Sequence, residues 1–510
     1  MRYIEGNDRK QIMLFPEVVD DYISEENPVR VIDAYIDSLN MRELGIGATS
    51  NETGRPPYHP KDMSKLYLYG YFNRLRSSRK LEAETHRNIE LMWLINNLKP
   101  DHKTIARFRK DNAKALKSIF RDFVQLCKKL GLYGKELVAI DGSKFGAVNA
   151  KGNNYNHEKL EDKLRRIDEK LERYLRELDE NDQAEVDSAK HSKEEIAAAI
   201  LELTERKQGY EDLKKKLEES GETQISTTDP DAKRMKQANG GSDISFNVQT
   251  AVDAKHKLIV DYEVTNRCND KNLLAPMAKS AKEALGVDEL AAAADTGYFV
   301  ASDIAECMAA GITPHVASEH KSVTFCVPAA QAEAAEPEEF SNPGKNVFIR
   351  DRNVGLCPMG CFLYPQSYSK KQHSAIYRNS KACGNCPRKS ECTTNNRRLM
   401  VQMPESKFST AYDEKDLYVK QITYSPDKKL LRKRKEIVEH PFGTTKRHMN
   451  SAYCLLKGIP NVRGEFALTF LVYNMKRAIK IIGAAGLLQA IKGNHHPPFS
   501  EFSVCCAFRP

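Results

Sequence analysis

The chain has a single tryptophan, Trp93, and no uninterrupted apolar run of membrane-spanning length. Its most apolar late stretch, "EFALTFLVYNMKRAIKIIGAAGLLQAI", is broken by Lys476, Arg477 and Lys480. A span needs about 20 consecutive apolar residues, so this segment reads as a buried or docking helix. The opening "MRYIEGNDRKQIMLFPEVV" lacks the apolar core and small-residue cleavage site of a signal peptide. A cytoplasmic location with no membrane partner is expected. Twelve cysteines in such a compartment argue against a disulfide framework. Trp93 sits in an apolar context and reads as core.

What is present describes a globular chain of several domains. At 510 residues it exceeds one compact core, with 40% hydrophobic and 29% charged residues. The net charge of +9 permits a polyanionic partner without requiring one. Its distribution says more. Basic residues gather in "NRLRSSRK" (73–80), "KTIARFRK" (103–110), "KKLLRKRK" (428–435) and "KRAIK" (476–480). Any one of these could be a solvated lysine-rich face. Together they point to double-stranded DNA, with Arg76, Arg79, Arg107 and Arg109 as candidate contacts.

Residues 1–130 have helical apolar spacing, and "LKPDHKTIARFRK" looks like a turn followed by a short basic helix. That suits a helix-turn-helix-like DNA-binding unit or plain helix packing. In 153–220, Leu160, Leu164, Ile167, Leu171, Tyr174 and Leu178 alternate steps of four and three. Ile196, Ile200, Leu203, Tyr210 and Leu217 resume the stripe after a polar break. An inserted helical hairpin and a dimerisation coiled coil both fit.

Around that insertion the order strand, strand, strand, helix, strand, helix, strand predicts a mixed α/β sheet over 131–320, rejoined by 421–490. Two apolar runs end on acids: "LVAIDGSKFGA" on Asp141 and "ELAAAADTGYF" on Asp295. Each is expected at the C-terminal end of a strand, where neighbouring strands would bring the carboxylates together. A basic helix, "KLLRKRKEIVEHPFGTTKRHM", offers Glu439 as a third acid. Lys435 and Lys446 share its face and are candidate phosphate contacts, though an ordinary i to i+4 salt bridge also explains Lys435. Three converging carboxylates call for divalent cations, Mg²⁺ or Mn²⁺. Alone, each aspartate could be an ordinary turn or cap residue.

Eight stretches, taken in order, resemble the DDE transposases of bacterial insertion sequences. They are "GRPPYHPKDMSKLYLYGYFNRLRSSRKLE", "ELMWL" before "PDHKTIARFR", "AIDGSKF", "TDPDAKRM", "YEVTNRCNDKNLLAPM", "ADTGYF", "VEHPFGTTKR" and "LVYNMKRAIKIIG". The resemblance implies an RNase H-like catalytic domain, metal ligands at Asp141, Asp295 and Glu439, and an insertion between the second aspartate and the glutamate. It further implies cleavage of the element's terminal repeats and strand transfer, by a homodimer on DNA. Glu439 and Lys446 match the last two members of the group's Tyr–Arg–Glu–Lys signature. Arg432 and Lys435 stand where its tyrosine and arginine would be, which makes Arg432 a further candidate DNA contact by resemblance. "TDPDAKRMK" (228–236) fits a DNA contact or a structural loop equally.

The segment 321–420 reads as loop-rich and cysteine-bearing, with "AAQAEAAEPEEF" as a linker. Cys357, Cys361, Cys383, Cys386 and Cys392 have knuckle-like spacing, and four of the five could hold a structural zinc ion. The tail, 491–510, has no clear pattern.

Overall fold

The computed structural model describes residues 18–46, 56–183, 192–237, 240–317, 323–328, 347–349, 353–357, 361–371, 374–384, 398–402, 405–407, 409–410 and 418–493. The expected linker, Cys386, Cys392 and the tail from residue 494 lie outside the described residues.

The N-terminal region is helical as expected: α1 (Pro28–Ser38), α2 (Pro60–Phe72), α3 (Ser78–Thr85), α4 (Ile89–Leu94), α5 (His102–Asp111) and α6 (Ala113–Lys129). Helices α1 and α2 begin with proline, whose missing N–H is no loss at that position. Asp101 starts α5 by accepting from the amides of Lys103 (2.9 Å) and Thr104 (3.0 Å). The apolar face of α6, including Phe120 and Phe123, is buried.

Next comes the mixed sheet. Strand β1 (Leu137–Gly146) lies between β5 (Ser242–Asp253), antiparallel, and β7 (Leu290–Ala294), parallel; β8 (Ile312–Val316) continues beyond β7 in parallel. Strands β4 (Lys233–Lys236) and β6 (Ile259–Thr265) both pair antiparallel with β5. Helices α9 (Leu274–Leu285) and α10 (Ala301–Ala309) connect the later strands. The strand β4 was not anticipated. It is "KRMK", too short and too charged to show a strand pattern.

Between β1 and β4 stand α7 (His157–Gln183) and α8 (Lys193–Ser220), tied at their base by β2 (Asn154–Tyr155) and β3 (Ile225–Ser226). Leu160 and Ile167 of one helix and Ile196, Leu203 and Leu217 of the other are buried. Asp168 pairs with Lys207 at 2.8 Å, and Glu161 with Lys214 at 3.1 Å. The two stripes therefore pack on each other as a hairpin within one chain.

The cysteine-bearing region departs from its loop-rich reading. Strands β10 (Val347–Ile349), β11 (Val354–Leu356), β12 (Phe362–Ser369), β13 (Ser374–Arg378) and β14 (Arg398–Gln402) form a small antiparallel sheet. Strand β9 (Val323–Pro328) pairs with β15 (Tyr418–Tyr424), and α11 (Ser380–Gly384) follows β13. These strands are short, and polar residues interrupt their alternation, which hid them from a periodicity reading.

Helices α12 (Lys428–Gly443) and α13 (Ile459–Lys492) close the fold. The latter is the apolar late stretch, and it docks. Among the described residues no helix is long and apolar enough to cross a membrane. Asn474 of α13 bonds both backbone groups of Ile259, accepting at 2.9 Å and donating at 2.8 Å. Ring contacts run from Phe120 on α6 to Tyr262 on β6 (5.2 Å) and on to Phe470 on α13 (5.1 Å). A Cβ on Gly464 of α13 would stand 2.7 Å from the backbone of Ala113, so α6 and α13 meet almost backbone to backbone. One hydrophobic core thus runs through the N-terminal helices, the sheet and the last helix. The boundary expected near residue 130 divides elements and not cores.

Candidate active site

Strand β1 pairs with β7 as far as Ala139 opposite Ala293. Two residues further along each strand come Asp141 and Asp295. Neighbouring strands lie about 4.8 Å apart, so this register sets both carboxylates at one level of the sheet. Asp295 ends its strand as expected, its side chain accepting from the amide of Gly297 at 2.9 Å. Asp141 does not. Strand β1 continues to Gly146, with Asp141 directly opposite Thr250 of β5. What ends there is the parallel neighbour, and its departure opens the space.

Asp141 is only partly shielded, its side chain 25% exposed. Its pKa is nevertheless pushed up to about 7. Burial is the main cause; Arg434 opposes it, while Asp295 and then Asp270 reinforce it. The Arg434 guanidinium lies 3.7 Å from the Asp141 carboxylate, and its Nη1 has no hydrogen-bond partner despite being buried. This contact was not foreseen from the sequence. The stretch "LLRKRKE" offers several basic residues in a row, and only the packing of α12 selects the one that faces inward.

Helix α12 packs Ile437, Val438, Pro441 and Phe442 into the core. Arg432, Lys435 and Glu439 are exposed. Glu439 makes no hydrogen bond or ion pair among the described residues, and it forms with Asp141 and Asp295 no group of three acids placed to hold an ion. Beyond α12 the backbone widens into a π-helical turn, Thr444–His448. Lys446 projects from it into the site, donating to Ser143 Oγ (2.7 Å) and the Lys144 carbonyl (2.8 Å), above the Phe145 ring. Burial, and then the charge of Lys144, hold its pKa below the ordinary lysine value, against the pull of Asp141.

A third carboxylate near the pair is Asp270, from "NRCND" after β6. Its Oδ1 accepts from Asn247 (2.7 Å) and Gln249 (2.8 Å) and lies 3.5 Å from the Lys144 ammonium. Sequence reading passed over it because no apolar run leads to it. The donors of Asp141 and Asp295 are hard carboxylate oxygens that repel each other, and such a pair suits a hard divalent cation. Among the described residues, however, no group of three or more His, Cys, Asp or Glu side chains is placed to hold an ion.

That statement also covers Cys357, Cys361 and Cys383. The Cys361 amide lies 3.4 Å from the Cys357 sulfur in the turn before β12. The other two cysteines of the five, Cys386 and Cys392, lie outside the described residues.

The expected DNA contacts divide. Arg79 and Arg107 are exposed. Arg76 and Arg109 are buried, each 5% exposed, which corrects their reading as phosphate contacts. Arg76 is paired with the buried Glu465 of α13 and donates to the carbonyls of Asn450 and Tyr453. Glu465 also accepts from the amides of Leu455 (2.9 Å) and Leu456 (3.1 Å). Arg109 donates to the Tyr71 hydroxyl at 3.2 Å and the Arg76 carbonyl at 3.3 Å. In "TDPDAKRMK", Asp229 and Asp231 accept from the amides of Gly458 and Ile459 at the start of α13. Those two acids are structural.

Residues 17–111 match the family described as "Transposase domain (DUF772)", and residues 356–479 match the family described as "Transposase DDE domain". The second match holds Arg434, Glu439 and Lys446 but neither Asp141 nor Asp295. Both segments are thus similar to transposase domains, the second to a DDE domain, and together they span less than half of the chain. No curated protein matches it. A cryo-EM structure of a piggyBac transposase synaptic complex with hairpin DNA is 11% identical, over 93% of this chain and 83% of that one. The TM-score of 0.29 is too low to bear on fold or function.

Proposed function

We propose that the chain is the transposase of a bacterial insertion sequence, binding the element's terminal inverted repeats as a homodimer and cutting them with Mg²⁺ or Mn²⁺. The observation that carries this is the level placement of Asp141 and Asp295 on adjoining strands of a mixed sheet, whose order suits an RNase H-like domain. Asp141 and Asp295 hold the ion, which when bound supplies charge neutralisation and a polarised water for phosphodiester hydrolysis. Lys446 and Arg434 face the same space and orient phosphate oxygens. Arg79 and Arg107 bind the duplex away from the scissile bond, on the exposed sides of α3 and α5.

Glu439 completes the ligand set once DNA is bound. It sits two residues before Pro441 and one turn before the π-helical turn, both places where helix register is easily changed. The experiment is cleavage of labelled DNA bearing the element's ends, with Mg²⁺ or Mn²⁺, by wild type and Asp295→Ala. Metal-dependent cutting that the substitution abolishes, with binding retained, supports the reading. The exposure of Glu439 favours a second reading, a catalytically silent DNA-binding protein derived from a transposase. Binding without cutting in the wild type would put that reading first.

A further inference from the structure

Behind the aspartate pair lies a connected set of buried polar side chains for which transposition chemistry has no stated use. Gln249, Asn247 and Tyr298 are each fully buried. The Tyr298 hydroxyl donates to Gln249 Oε1, and Gln249 Nε2 donates to Asp270 (2.8 Å) and Asn247 Oδ1 (3.1 Å). Asn247 donates to Asp270 and to the Arg267 carbonyl (3.2 Å). The space this set occupies is the one a Cβ on Gly142 would need: it would stand 2.7 Å from Asp270 Oδ1 and 2.9 Å from Asn247 Oδ1. At the other end, a Cβ on Gly297 would lie 3.1 Å from Asp295 Oδ1 and 3.8 Å from Asp270 Oδ2. The chain thus links the residue after Asp141 to the turn after Asp295.

We propose that Tyr298, Gln249 and Asp270 are positioning residues that hold the Asp295 turn against β1, so that the two carboxylates meet an ion already aligned. The turn Thr296–Tyr298 is a single 3₁₀ turn with few bonds of its own. Tyr298 is the side chain that anchors it in the core. Outer partners of this kind commonly change metal affinity by roughly 10- to 100-fold.

This inference rests on the aspartate pair being the metal site, and its test separates the two ideas. The full-length chain and the variants Tyr298→Phe, Asp270→Asn and Gly142→Ala are compared in two measurements. The first is the Mn²⁺ concentration that half-saturates binding and cleavage. The expected result is a rise of roughly 10-fold in Tyr298→Phe and Asp270→Asn, with the rate at saturating metal largely kept. The second is hydrogen exchange across residues 295–300 without metal, where faster exchange is expected in all three variants. Faster exchange in variants of a wild type that binds no Mn²⁺ sinks the metal-site reading and leaves the positioning role standing. Exchange unchanged from wild type in folded Tyr298→Phe and Asp270→Asn overturns the positioning role, whatever the metal does.

Discussion

Asp141 stands two residues beyond Ala139, and Asp295 two residues beyond Ala293, and Ala139 and Ala293 are partners in the parallel β1–β7 ladder. Two acids far apart in sequence are thereby set side by side by strand register alone. The pKa of Asp141 is pushed up to about 7, chiefly by burial. The folded protein therefore holds a proton that the unfolded chain has already released. Metal-free stability should fall as pH rises from about 4 to 7, by on the order of 4 kcal/mol at most. Thermal melts of Asp141→Asn in chelator should lack that decline. A parallel decline in both proteins would show that Asp141 does not cause it.

Arg434 lies 3.7 Å from the Asp141 carboxylate and opposes its protonation. Arg434→Ala should raise the pH at which the metal-free site binds Mn²⁺ half-maximally by about one unit. Arg434→Lys should shift it less. Mn²⁺ titrations followed by electron paramagnetic resonance between pH 5.5 and about pH 8.5 would read the shift, and an unmoved midpoint would remove Arg434 from the site.

Glu439 is exposed and forms no three-acid group with the two aspartates among the described residues, so its loss should be silent until DNA binds. Glu439→Ala should leave Mn²⁺ affinity of the DNA-free protein within about twofold, while cutting of element ends falls by at least about 100-fold. A large loss of metal affinity without DNA would mean that Glu439 reaches the ion unaided.

The two kinds of arginine in the N-terminal region should separate by assay. Arg76→Ala leaves Glu465 buried and unpaired and should cost roughly 3–5 kcal/mol of stability in denaturant melts. Arg79→Ala and Arg107→Ala should leave stability within about 0.5 kcal/mol. Each should instead reduce the slope of log affinity for duplex DNA against log salt by about 0.9. An unchanged slope in both would move the DNA surface elsewhere.

Asp229 and Asp231 hold the first amides of α13, so Asp229→Ala should lower stability by roughly 1–2 kcal/mol with DNA affinity unchanged. Weakened DNA binding by a stably folded Asp229→Ala would restore the nucleic-acid reading of "TDPDAKRMK".

Much of the scaffold is legible in the linear order of residues. Apolar periodicity marks α6, the α7–α8 stripes, the long strands and the docking character of α13, because burying one face demands one spacing for a helix and another for a strand. Asp141 and Asp295 stand out because a charge at the end of an apolar run is costly without a partner. Tertiary structure decides what spacing does not carry. Which of four neighbouring basic residues on α12 turns inward depends on how that helix rests on the sheet. Whether Arg76 meets a phosphate or Glu465 depends on α13, almost 400 residues later in the chain. Asp270, Gln249 and Tyr298 have no periodic signature, since a hydrogen-bonded cluster is defined by distance between side chains and not by their order.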